Sequence, residues 1–176
     1  MNCLAENMGF RDWRVMCVRF LALLAIVWVA TACAIQPRVV DHSFEFDALR
    51  DSPNVEVLDY RYGNSKLPGI APDEMEYKRK SIGQRTGVSG PMLVGEFLYV
   101  KWRIRSTDVA YEKTIDLRNR LPRNIEDHTI YFVIKGDQPF IYLISPEHIE
   151  RGAPLSDLRK YRDRKYAIIY PDQPKN

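Results

Sequence analysis

Thr129-Ile130-Tyr131-Phe132-Val133-Ile134, then Lys135-Gly136-Asp137-Gln138-Pro139, then Phe140-Ile141-Tyr142-Leu143-Ile144 is the stretch whose reading decides the fold. The two outer runs are almost purely β-branched, aromatic and aliphatic, the composition of strands covered on both faces. The five residues between them are turn formers. The stretch therefore predicts a central hairpin.

A second hairpin precedes it. In Phe97-Leu98-Tyr99-Val100-Lys101-Trp102-Arg103-Ile104-Arg105, the residues alternate after Tyr99. Val100, Trp102 and Ile104 share one face, and Lys101, Arg103 and Arg105 share the other. Period-two alternation marks a strand with one buried and one wet side. Ser106-Thr107-Asp108 supplies a turn, and Tyr111 to Leu117 reads as the return strand.

Working further out, Val55 to Tyr62 predicts a first firm strand and Tyr166 to Tyr170 a last one. Residues 34–53 read as a short tether followed by an edge strand or a turn of helix around Phe44-Glu45-Phe46. Gly83, Gly87, Gly90, Pro91 and Gly95 break any periodicity, so Gly83–Gly95 reads as a flexible loop, a common place for binding residues. Leu155 to Arg164 is compatible with one short helix. Strands joined by short turns, with one helix late in the chain, predict a mainly β fold. The expected architecture is an antiparallel β-sandwich or open barrel with one short helix near the C-terminus.

The N-terminus has a different character. Phe20 to Ala32 carries no charge, and Arg11, Arg14 and Arg19 precede it. A basic segment, an apolar run and small residues at a cleavage point are the parts of a secretory signal. Extension to Ile35 still leaves the run short of the ~20 residues of a spanning helix. Met8 and Met16 are alternative starts to Met1. Ala30-Thr31-Ala32-Cys33 resembles the lipobox of bacterial lipoproteins, with alanine in the position where leucine is commoner. The resemblance implies cleavage between Ala32 and Cys33, a diacylglycerol and an N-acyl chain on Cys33, and no other cofactor. Ala34 in place of aspartate implies the outer membrane over the inner one, with the domain in the periplasm. The chain then divides into a signal peptide at 1–32, a lipid-anchored tether at 33–53, a β-rich periplasmic domain at 54–171 and a tail at 172–176.

The chain has 176 residues, 26 of them basic and 23 acidic. Residues 1–32 remove three arginines and two acids, leaving 23 and 21. So even a balance argues against a nucleic-acid binder. Of Cys3, Cys17 and Cys33, only the last survives cleavage, so no disulfide and no cysteine-held zinc follows.

Chemistry-bearing groups are scattered. His42, His128 and His148 lack the i, i+4 spacing of a helical zinc site and read as surface or turn residues. Gly87-Val88-Ser89-Gly90-Pro91 ends in proline where a nucleophile elbow needs glycine. Asp73-Glu74-Met75-Glu76 and Glu126-Asp127 read as solvated loops. Arg159 to Lys165 is the densest basic stretch and reads as a solvated face or a contact for anionic groups. No enzyme and no small-molecule substrate are expected.

GPMLVGEFLYVKWRIRSTDVAYEKTIDLRNRLP together with IYFVIKGDQPFIYLIS resembles a group of small proteobacterial lipoproteins, some encoded near type VI secretion effector genes. The resemblance covers the part of the chain from Pro91 to Ser145. It implies an immunity protein that binds and blocks a toxic effector, and it assigns no residue a role. The alternative is a structural lipoprotein subunit of an envelope or secretion assembly. Beyond the membrane reached through the lipid, the expected partner is a protein. The residues expected to meet it are Lys101, Arg103 and Arg105, with the Gly83–Gly95 loop.

Overall fold

In a computed structural model, residues 38–150 and 158–172 are described. They form two packed sheets. Eight strands follow in chain order: β1 (Val39–Asp47), β2 (Val55–Tyr62), β3 (Arg85–Leu93), β4 (Phe97–Ile104), β5 (Val109–Asp116), β6 (Thr129–Lys135), β7 (Gln138–His148) and β8 (Arg164–Tyr170). Two short helices, α1 (Ala48–Asp51) and α2 (Glu74–Arg79), stand between the first three strands. The larger sheet has the order β3-β1-β6-β7-β8, the smaller β2-β4-β5. The molecule is a β-sandwich rather than a closed barrel.

Both expected hairpins are present. β6 pairs with β7 from Thr129↔Ile144 to Lys135↔Gln138, and β4 with β5 from Phe97↔Asp116 to Ile104↔Val109. The alternation of strand residues explains how β6 and β7 serve two cores. Ile130, Phe132, Ile134, Ile141 and Leu143 point between the sheets, joining Phe44, Phe46, Val57, Val100 and Trp102. Tyr131, Val133, Tyr142 and Ile144 point the other way and are buried beneath Leu158 and the half-buried Tyr161. The Trp102 indole donates to the Gly136 carbonyl at 3.0 Å, tying the smaller sheet to the β6–β7 turn.

Two expectations require correction. The tether does not run to residue 53. Residues 39–47 form β1, held between β3 and β6, and not an edge strand. Its Phe44 and Phe46 are buried because they face the core between the sheets. The pairing of β1 with β6 is parallel, an exception to the antiparallel pattern of the other contacts. Gly83–Gly95 is not a flexible loop, because Arg85–Leu93 pairs with β1 along its whole length. Thr86, Val88 and Met92 face inward on alternate positions, and the intervening side faces solvent, so glycine and proline are tolerated there. Near the C-terminus, the described helical element is one 3-10 turn, Arg159–Tyr161, and residues 151–157 lie outside the described residues. Arg120 binds Asp172, the last described residue, at 3.0 Å.

Two glycines close the end of the sandwich where β1 begins. Tyr62 is fully buried, its ring stacked on Phe44 at 4.8 Å. A Cβ on Gly95 would lie 2.3 Å from that ring, and Gly63 has a φ of +56° and would press on Gly95 itself. Only residues without side chains permit this approach.

Candidate interaction surface

β4 is the middle strand of the smaller sheet, so its outer residues have neighbours on both sides. Lys101 lies opposite Asp59 of β2 and Glu112 of β5, and Arg103 lies opposite Glu56 and Ala110. Strands that place opposite charges across from one another gain modest stabilisation, and this sheet does so three times. Lys101 Nζ stands 3.7 Å from Glu112 Oε2. Arg103 donates through Nη2 to Glu56 Oε2 at 2.8 Å, and its Nη1 lies 3.1 Å from Asp108 in the turn. Glu56 raises the pKa of this guanidinium above its ordinary value. Arg105 sits past the end of β4 and donates from Nε to the Val55 carbonyl at 3.2 Å.

Lys101 and Arg103 therefore share one side of the smaller sheet, with Arg105 past the strand end, but they are not a field of free cations. A row of positive groups runs down the centre, with carboxylates on the flanking strands. Two tyrosines that the sequence reading did not single out complete the surface. Tyr77 of α2 is 46% exposed and its hydroxyl donates to Asp59 at 2.7 Å. Burial and then the Asp59 carboxylate push that hydroxyl up to about 12, so it stays a donor. Tyr99 adjoins Glu112 on the same surface, and its pKa is raised by desolvation and by that carboxylate. Alternation within Val55–Tyr62 would have placed Glu56 on the wet side. The placement of Tyr77 depends on a loop crossing that carries no sequence pattern.

Polar groups also gather on the outer side of the larger sheet. Glu45 Oε2 accepts from Tyr161 Oη at 2.6 Å and from Lys160 Nζ. Tyr131 donates to Asp51. Arg50, Arg85 and Asp47 join Glu45, Tyr131 and Lys160 around an open recess of about 410 Å3. Burial, with Asp51 beside it, raises the Tyr131 hydroxyl pKa well above its usual value. The basic stretch is thus partly a clasp. Lys160 and Tyr161 pin the chain before β8 onto the sheet over the second core, and Lys165 pairs with Glu147 at 2.7 Å.

The histidines do not converge. His42 is buried at 1% exposure, its Nδ1 2.8 Å from the Val40 carbonyl and its Nε2 3.0 Å from the Tyr62 hydroxyl. The carbonyl requires the proton on Nδ1, so Nε2 accepts from Tyr62. This corrects the reading of His42 as a surface or turn residue. His128 lies 2.7 Å from the Glu126 carbonyl, and His148 pairs with Asp163 at 2.8 Å. Ser89 lies within β3, its hydroxyl 2.7 Å from that of Ser43. Among the described residues there is no group of three or more His, Cys, Asp or Glu placed to hold a metal ion, and no helix long and apolar enough to cross a membrane. Ala32 and Cys33, with the whole expected signal peptide, lie outside the described residues. Comparison with protein-family models, curated proteins and solved structures finds no match to this chain.

Proposed function

We propose that this protein is a lipid-anchored lipoprotein of the bacterial envelope, modified on Cys33, whose β-sandwich binds a protein partner through the outer side of the β2-β4-β5 sheet. The observation that carries the reading is the cross-strand array itself. Tyr77, reaching across from α2, and Tyr99, Lys101 and Arg103 of β4 each meet a neighbouring carboxylate on the outer side of this sheet. Tyrosine and arginine dominate the energetics of protein interfaces, and fixing them beforehand lowers the entropy lost on binding. The carboxylates give the surface both signs of charge, which selects a partner by electrostatic pattern rather than by net charge.

The partner suggested by the lipoprotein resemblance is a toxic effector, with this chain as its immunity protein. Neutralising an enzyme one to one calls for nanomolar affinity, about −12 kcal/mol, over about 800 Å2 on each partner. A structural subunit of an envelope assembly is the second reading. The outer edge of β8, unpaired among the described residues, favours it, because an exposed strand is a site of assembly.

Two experiments test the proposal. A palmitate analogue should label the protein in cells, and Cys33→Ser should abolish both label and membrane fractionation. Products of neighbouring genes should be tested for binding by calorimetry, with Arg103→Glu and Lys101→Glu weakening any complex. Binding no tighter than micromolar, with no added sensitivity to intercellular killing on gene deletion, discards the immunity role in favour of the structural one.

A further inference from the structure

The sandwich has four sheet edges, and three of them are closed to a further strand. At β2, the Gln84 side chain takes the place of a neighbouring strand. Its Oε1 accepts from the Val57 N–H at 2.8 Å, and its Nε2 donates to the Val57 carbonyl at 2.9 Å. β3 is interrupted by Gly90, with a φ of +132°, and by Pro91, which has no N–H to give. β5 has Glu112 and Lys113 at its midpoint, so a symmetric copy in either register that pairs most of the strand would set like charges face to face on the axis.

β8 differs. Among the described residues nothing pairs with its outer side. Ile169 is the extra residue at the irregularity in the β7–β8 ladder, and Arg120 donates to its carbonyl at 3.2 Å. Arg120 thereby closes the edge at that point and leaves Arg164 to Ile168 open. Lys165, Tyr166 and Ala167 are exposed, and Tyr166 is one of the few large apolar side chains left 42% in solvent.

We infer that the Arg164–Ile168 edge of β8 pairs antiparallel with the same edge of a second copy, with Tyr166 on the two-fold axis. This goes beyond the partner-binding reading and does not rest on it. The register follows from three constraints. Opposed residues in antiparallel strands lie on the same side of the sheet, so the axis must pass through a residue. Centring on Lys165 opposes two ammonium groups. Centring on Ala167 brings Lys165 of the copy against Ile169, where the Arg120 guanidinium already sits. Centring on Tyr166 opposes Arg164 to Ile168, Lys165 to Ala167 and Tyr166 to itself, with no like charges across from each other. It also places the two Tyr166 rings beside Ile168 of each copy, extending the second core, which already includes Tyr142 and Ile168, from one sheet into the next. The contact is isologous and closes after two copies, and it leaves no edge for further growth.

The test uses the full chain, expressed in bacteria and extracted in mild detergent. Light scattering should give the mass of a dimer, and Tyr166→Asp, which sets two carboxylates on the axis, should halve it. Tyr166 lies outside the buried core, so circular dichroism of that variant should match the parent. In membranes under mild oxidation, Tyr166→Cys should form a disulfide-linked dimer, since opposed strand residues bring Cα atoms to about 4.5–5.5 Å, within disulfide range. Ala110→Cys on β5 should form no more than the parent chain. A monomeric mass overturns the proposal, as does a dimer that survives Tyr166→Asp or a Tyr166→Cys chain that cross-links no better than Ala110→Cys.

Discussion

The β4–β5 hairpin and the β6–β7 hairpin are both antiparallel pairs of similar length, and they are covered differently. β4 shows its alternate residues to solvent, and those residues are the charged and tyrosyl groups of the cross-strand array. β6 has one core in front and another behind, so five successive residues, Ile130 to Ile134, are buried. The difference separates two environments. Stability resides where both sides of a strand are apolar, and the surface proposed for recognition is the one that is wet and ordered by ion pairs.

The largest expected effect breaks the comparison from the covered side. Phe132 lies among Phe44, Phe46 and the inner side of the sandwich, and Phe132→Ala should cost about 3–5 kcal/mol in chemical denaturation. A loss below about 1 kcal/mol would mean that the core between the sheets does not carry the fold. The second effect asks whether the outer side of β6 is a core in its own right. Val133→Thr buries a hydroxyl where a methyl was, and should cost about 1–3 kcal/mol. Threonine at the exposed Ala110 of β5 should cost nothing measurable.

A third test uses acidity. Burial lowers the His42 pKa below the ordinary 6.5. As pH falls through 6.5 the unfolded chain therefore takes up a proton that the folded one refuses, and stability drops until the folded pKa is passed. Thermal melts between pH 7.5 and 5 should show this slope, and His42→Gln should flatten it. The smallest effect is on the wet side. Arg103→Ala should leave the denaturation midpoint unchanged within error, because half-exposed ion pairs contribute little to folding, while weakening partner binding. A marked loss of stability would make the array a structural device instead of a recognition surface.

This contrast also explains what could be read in advance. Both hairpins were legible because their strands are adjacent in the chain and their burial is written as local composition. β1 was not. Phe44-Glu45-Phe46 is too short a pattern to show that its partners lie some forty residues downstream in β3 and further still in β6. β3 was hidden by its own glycines, although Val88 and Met92 on alternate positions were a usable signal. On the wet side, Lys101 and Arg103 were legible as a pair. The carboxylates that hold them, Glu56 and Glu112, come from two other strands and required the register. Glu45 meeting Lys160 and Tyr161 across 115 and 116 positions could not be found from local pattern at all.

Gln84 makes the β2 edge depend on a single amide. Its amide donates to the carbonyls of Val57 and Ile82 at 2.9 and 2.8 Å while accepting from the Val57 N–H. Hydrolysis of that amide to a carboxylate keeps the acceptor and loses both donors, leaving a half-buried negative charge against two carbonyl oxygens. The side chain then turns outward and the β2 edge lies bare, ready to template another chain. Gln84→Glu should thus leave the fold in place and show itself as aggregation through the smaller sheet, which light scattering against the parent would read.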